Sequence, residues 1–144
     1  ITEAFKESDQ VLMEEFIEGR EISCGVMIAG GKEYIFPITE LVCQSEFFDY
    51  KAKYQGFSNE ITPADLPEAI RKEVNRLTLI AYKRLNCRGV VRIDFIVKDN
   101  TPYMIEINTI PGMSSHSIIP QQAAAMGMSL TELFNLIIDE TSNK

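Results

Sequence analysis

The stretch VRIDFIVKDNTPYMIEIN, Val91 to Asn108, holds two alternating runs separated by a polar turn. In the first run Val91, Ile93, Phe95 and Val97 share one face and Arg92 and Asp94 share the other, because successive side chains of a strand point to opposite sides. In the second run Ile105 and Ile107 share a face, and Met104, Glu106 and Asn108 take the opposite one. The intervening KDNT supplies turn residues. If the apolar sets face one core, the polar sets also coincide, and pairing Asp94 with Glu106 or with Met104 satisfies both. The stretch therefore predicts an antiparallel hairpin. Its core side stays apolar while two carboxylates, an amide oxygen and an arginine gather on the other side.

The surrounding sequence extends this into an α+β domain. Residues Ile1 to Ser8 read as the tail of a helix, and QVLMEEFI (10–17) as an alternating strand. REISCGVMIAGGKEYIFPITELV (20–42) reads as two strands joined at Gly30-Gly31, since tight hairpin turns need positive φ. CQSEFFDYKAKYQGFSNEITPADLP (43–67) has no clean period and reads as a long functional loop. LPEAIRKEVNRLTLIAYKRLNC (66–87) is the strongest helix, with Ile70, Val74, Leu77, Ala81 and Leu85 as its apolar stripe, Asp65 as candidate N-cap and Pro67 near its start. IIPQQAAAMG (118–127) predicts a short helix stopped by Gly127, and SLTELFNLIIDE (129–140) one opened by Ser129 and Glu132 in capping-box spacing. Together these predict a mostly antiparallel sheet with packed helices.

Composition narrows the classes. The 144 residues suit one core, and 45% hydrophobic with 24% charged content is neither disordered nor membrane-like. No apolar run approaches the about 20 residues that span a bilayer, and no signal peptide is visible. The net charge of −7 argues against nucleic acid, which needs a basic face. A small anionic ligand is compatible with it. Cys24, Cys43 and Cys87 lack zinc-site spacing and read as reduced, inert thiols of a cytoplasmic protein.

On the hairpin, Asp94, Glu106 and Asn108 offer hard oxygen ligands. Magnesium takes one or two carboxylates and completes its shell with substrate phosphates, and a nearby guanidinium stabilises transition-state charge. The bland alternative is a solvated sheet face with Arg92 salt-bridged to Asp94 or Glu106. The hairpin runs into NTIPGMSSHS (108–117), a loop rich in Gly, Ser and Thr that leads to a helix, where backbone N–H groups suit a carboxylate or oxyanion. His116, the one histidine, fits a backbone-orienting role better than acid/base work.

GVVRIDF, YMIEINTIPGM and SSHSIIP resemble the C-terminal part of the D-alanine–D-alanine ligases of the ATP-grasp superfamily, and the likeness covers the whole chain. R-x-D followed by E-x-N indicates ATP-grasp; EINTIPGM followed by SHS is far more specific. The resemblance implies an ATP-grasp C-terminal domain over residues 1–144, with the N-terminal domain and most of the lid absent. It implies ATP-dependent joining of two D-alanines through an acyl phosphate, for peptidoglycan. It assigns two magnesium ions, or manganese in their place, to Asp94, Glu106 and Asn108. It assigns the oxyanion to Arg92 and the N–H of Gly112, and the second D-alanine's carboxylate to Ser117 and the N–H of Ile118. Glu14, Phe16 and Ile17 would frame the adenine, Glu21 the ribose, Lys53 the phosphates, and Tyr54 would latch the loop. The family pattern has a lysine or similar residue where this chain has Glu15. The loop DYKAKY lacks the histidine that relatives making D-alanyl-D-lactate carry, which favours D-alanine, with D-serine open. ATP and D-alanine are the implied partners, nucleic acid and membrane are not, and a homodimer of the longer enzyme is left open. The chain alone is expected to be inactive. The alternatives are another ATP-grasp carboxylate–amine ligase and a non-catalytic nucleotide-binding module.

Overall fold

The structure, a computed structural model, describes residues 1–43 and 58–142. Its centre is one sheet with strands β1 (Arg20–Ala29), β2 (Lys32–Ile35), β3 (Thr39–Cys43), β4 (Ser58–Ile61), β5 (Val91–Lys98) and β6 (Thr101–Asn108). The order is β4-β3-β1-β5-β6, with β2 also paired to β1. Every pairing is antiparallel. Helices α1 (Glu68–Arg84), α2 (Ile118–Ala125) and α3 (Leu130–Ser142) pack on it, giving the expected α+β class.

Two glycines make the first hairpin. Gly30 and Gly31 have φ of 56° and 74°, the pair of positive values that a type I′ turn requires. The second hairpin uses Asp99 and Asn100 at 50° and 62°, the side chains that best tolerate this region.

Strand β1 is buried from Ile22 to Met27, because helices cover both of its faces. On one face Ile22, Cys24 and Val26 join Val91, Ile93, Phe95 and Val97 of β5 and Ile70, Val74 and Tyr82 of α1 in the main core. Removing a side chain such as Ile93 to Ala from such a core costs about 2–5 kcal/mol. On the other face Met27 meets Phe36, Ile119, Ala123 and Leu133, so α2 and α3 sit there.

The buried line of α1 is Ile70, Val74, Thr78 and Tyr82, at intervals of four. It departs from the expected stripe: Leu77 and Ala81 flank it, and Leu85 is exposed. Tyr82 turns inward because its hydroxyl is satisfied there, donating to Gly89 O at 2.9 Å. Asp65 is not the N-cap. Pro67 holds that position, and the Asp65 carbonyl accepts from Arg20 Nη2 at 2.7 Å. Helix α2 ends at Gly127 (φ 82°), where Met128 N–H reaches Ala123 O at 2.9 Å in a Schellman arrangement. The Ser129/Glu132 capping box forms, with Ser129 N to Glu132 Oε2 at 2.8 Å and Glu132 N to Ser129 Oγ at 3.2 Å.

Two expectations fail at the start of the chain. Residues Ile1 to Ser8 contribute only a 3-10 turn at Ala4–Lys6. Residues 10–17 form no strand, and Leu12, Met13 and Phe16 are 81%, 78% and 86% exposed. Alternation makes a strand only where an edge is available. Both edges of β1, the strand that follows, are already taken by β2 and β3 on one side and β5 on the other.

Candidate active site

The register of β5 on β6 sets Asp94 opposite Glu106 and Arg92 opposite Asn108. On β1, Ser23 stands opposite Asp94 and Gly25 opposite Arg92, and Thr39 of β3 stands opposite Ser23. A transverse row, Thr39–Ser23–Asp94–Glu106, therefore crosses four strands on one face, with Arg92 and Asn108 beside it. Glu21, two residues before Ser23, shares this face.

The hairpin is not a perfect ladder. A bulge follows Asp94, so that Phe95 pairs with Met104 and Ile105 is the extra residue. Met104 thus shares a face with core residue Phe95, against the expected placement, and Ile105 is 52% exposed rather than buried. Ile107 packs on the core as expected.

Asp94 is 7% exposed and well bonded. Arg92 grips it in bidentate fashion, Nε to Oδ1 at 2.8 Å and Nη2 to Oδ2 at 2.7 Å, and Ser23 Oγ donates to Oδ1 at 2.6 Å. Glu106 Oε1 lies 4.0 Å from Arg92 Nη2, and its side chain is half-exposed. Burial pulls the Arg92 guanidinium down, but hydrogen bonding to Asp94 and attraction from Asp94, Glu106 and Glu60 outweigh it and hold the group above its ordinary value. Asn108 Oδ1 accepts from Ile110 N–H at 3.1 Å, which turns the chain into the next loop.

That loop is tied to itself and to the sheet. A Cβ on Gly112 would lie 2.8 Å from Ser117 Oγ, so the two residues are immediate neighbours. Ser114 Oγ is 2.9 Å from Ser117 Oγ, and Ser117 N–H reaches Ser114 O at 2.9 Å. Ser117 is the N-cap of α2 in extended conformation, which leaves Ile118 at the first helical position, where N–H groups lack intrahelical partners. His116 is exposed, with Nδ1 3.2 Å from Ser115 Oγ. Its carbonyl accepts from Gln121 Nε2 at 2.8 Å, and the same nitrogen donates to Glu60 Oε2 at 2.6 Å.

Of the predicted residues, Arg92, Asp94, Glu106 and Asn108 come together, and so do Gly112, Ser117 and Ile118. Glu14, Phe16 and Ile17 lie outside the sheet, the first two exposed and Ile17 half-buried. Lys53 and Tyr54 lie outside the described residues. Sequence reasoning missed Ser23, Glu60 and Gln122. For Ser23 a signal existed: it alternates in phase with Glu21 on a strand beside the Asp94 strand.

The donor set suits a hard divalent cation. Among the described residues no three His, Cys, Asp or Glu side chains form a cage. Magnesium needs only one or two carboxylates when substrate phosphates complete its shell, and Asp94 and Glu106 could supply them. Asp94 Oδ1 accepts two donors, whereas Oδ2 accepts one and keeps a lone pair for a cation. The Cys24 thiol is no part of this face and lies in the main core. Burial pushes the Cys24 thiol up to about 12. No helix among the described residues is long and apolar enough to cross a membrane.

An antiparallel sheet with helices on both faces, carrying R-x-D and E-x-N on paired strands in a polar row on the α2–α3 side, defines a domain of the ATP-grasp class. The family model described as D-ala D-ala ligase C-terminus matches residues 1–139, and the chain belongs to that family. It is 46% identical over 136 residues to a D-alanine–D-alanine ligase of Flavobacterium johnsoniae, covering 94% of this chain and 42% of that one. It is 48% identical over 140 residues to one of Phocaeicola vulgatus, covering 96% and 43%. The chain thus spans less than half the length of these curated relatives. A D-alanine–D-alanine ligase of Bacillus anthracis superposes with TM-score 0.75 at 36% identity, over 90% of this chain and 42% of that one. A structure of that ligase complexed with ATP gives 0.72 at 32%, over 90% and 40%.

Proposed function

We propose that this chain is the C-terminal portion of an ATP-dependent ligase that joins two D-alanines, with an N-terminal domain and most of a lid supplied by the rest of the polypeptide. In this reaction one D-alanine carboxylate takes the γ-phosphoryl group of ATP to give an acyl phosphate and ADP. The amine of the second D-alanine attacks the acyl carbon, phosphate leaves, and the dipeptide for peptidoglycan remains. The observation that carries the reading is the Arg92–Asp94–Glu106–Asn108 cluster running directly into the Gly112–Ser117 loop.

Asp94, Glu106 and Asn108 would hold two magnesium ions, or manganese, which neutralise phosphate charge when bound. Arg92 and the Gly112 N–H stabilise the oxyanion on the acyl carbon, and Ser117 with the Ile118 N–H holds the second D-alanine's carboxylate. Glu14, Phe16 and Ile17 meet the adenine, Glu21 the ribose, Lys53 the phosphates, and Tyr54 the closed loop. The partners are ATP and D-alanine, neither nucleic acid nor membrane, in a cytoplasmic enzyme that could act as a homodimer. The chain by itself would not turn over.

The test is Asp94→Ala and Glu106→Ala in the complete polypeptide, with phosphate release measured on ATP plus D-alanine, D-serine or D-lactate. Loss of turnover in folded variants and a preference for D-alanine support the reading. Undiminished turnover would favour the plain ion-pair face of a nucleotide-binding module, which the Arg92–Asp94 bridge also fits.

A further inference from the structure

We propose that Ser23 and Gln122 are positioning residues that lock the Asp94 carboxylate and the start of α2 into one register. The inference rests on the ligase reading above and adds two residues to it. Ser23 is 1% exposed and touches both parts of the site. Its hydroxyl donates to Asp94 Oδ1 at 2.6 Å, and its carbonyl accepts from Gln122 Nε2 at 2.9 Å.

Gln122 is fully buried, one helical turn beyond Ile118. Its Oε1 accepts from Gly25 N–H at 3.0 Å, and its Nε2 donates to Thr39 Oγ1 at 3.0 Å as well as to Ser23 O. Both amide protons and the carbonyl are therefore used. The location explains the need. Ser23 pairs with β3, but from Val26 onward β1 pairs with β2, and the Gln122 amide bonds the backbone where the partner changes. Gly25 permits the approach: a Cβ there would sit 2.7 Å from Gln122 Oε1 and 2.6 Å from Ile119 Cδ1.

The consequence for Asp94 is orientation. With Ser23 Oγ and Arg92 Nε both on Oδ1 and Arg92 Nη2 alone on Oδ2, Oδ2 is the oxygen with a lone pair left for a cation. The consequence for α2 is placement: the residue pinned to β1 lies one turn from the Ser117–Ile118 peptide.

The complete polypeptide is compared as Ser23→Ala, Ser23→Thr and Gln122→Met. Manganese binding is followed by electron paramagnetic resonance with a non-hydrolysable ATP analogue, beside kcat and KM for the second D-alanine. Ser23→Ala should weaken manganese about tenfold, and Ser23→Thr should restore it, because groups that orient a ligating carboxylate typically matter by about 10–100-fold. Gln122→Met should raise the KM for the second D-alanine several-fold with manganese binding unchanged. Wild-type manganese affinity in Ser23→Ala, or a changed melting temperature with wild-type KM in Gln122→Met, overturns the proposal. If Gln122→Met does not fold, Thr39→Val, which removes one of its partners, is read in the same way. Manganese binding and turnover that survive Asp94→Ala would sink the ligase reading instead, a different outcome.

Discussion

Arg92 and Asp94, two residues apart on one strand, are joined by two parallel hydrogen bonds of 2.8 and 2.7 Å. On the proposed ligase reading, a cation at Asp94 would compete with the guanidinium for the same carboxylate. The guanidinium supplies the counter-charge of this almost buried carboxylate.

Replacing Arg92 by alanine should separate two effects. On the proposed ligase reading, turnover of the complete polypeptide should fall about 10²–10³-fold, as loss of one oxyanion donor does. Manganese should bind at least as tightly, because a neighbouring positive charge has gone. Paired kinetics and metal titration check this, and weaker metal binding with intact turnover would contradict the roles assigned.

Gly112→Ala tests the loop. The new Cβ would press on Ser117 Oγ at 2.8 Å and turn it from its 2.9 Å contact with Ser114, while the residue 112 N–H remains. On the proposed ligase reading, the KM of the complete polypeptide for the second D-alanine should rise about tenfold, with kcat less affected, since small misplacements of a positioning group are costly. A steady-state comparison in which kcat alone falls would count against the Ser117 assignment.

Glu40 gives a pH dependence. Arg20 bonds its carboxylate at 2.7 Å through both Nε and Nη2 and holds it below the usual carboxylate range, although burial opposes this. A group depressed on folding contributes stability above its unfolded value near 4.5, and that contribution fades as pH falls through the lowered folded value. Thermal melts from pH 7 to 3 should therefore show a smaller acid loss in Glu40→Gln than in the parent. At pH 7 the variant should be less stable by about 1 kcal/mol or less, because Arg20 is partly exposed.

Cys24 should be inert in the folded protein. Its thiol is fully buried and pushed up to about 12, so thiolate is scarce at neutral pH. Iodoacetamide with peptide mapping should modify half-buried Cys87 first and reach Cys24 only in denaturant. Native-state labelling of Cys24 at the Cys87 rate would show that the core opens.

What the sequence made legible is what period and turn chemistry encode. The Gly30-Gly31 hairpin and the Ser129/Glu132 box follow from spacing within a few residues, and spacing narrowed the partner of Asp94 to Glu106 or Met104, of which the fold takes Glu106. Long-range partners were not legible. The 10–17 segment has a strand's alternation but no strand beside it. Gln122 sits in IIPQQAAA with nothing local to mark it as the residue that bridges β1. Ile105 looked like core until the bulge removed it, and a bulge depends on both strands at once.

That bulge separates β6 into two independently phased halves. From Glu106 onward the strand keeps step with Asp94 and Arg92, whereas Thr101 to Met104 keep step with the outer end of β5. The side chains of Thr101 to Met104 and those of Glu106 to Asn108 therefore answer to different stretches of β5, and the phase that serves the outer core is not the phase that lines up the carboxylates.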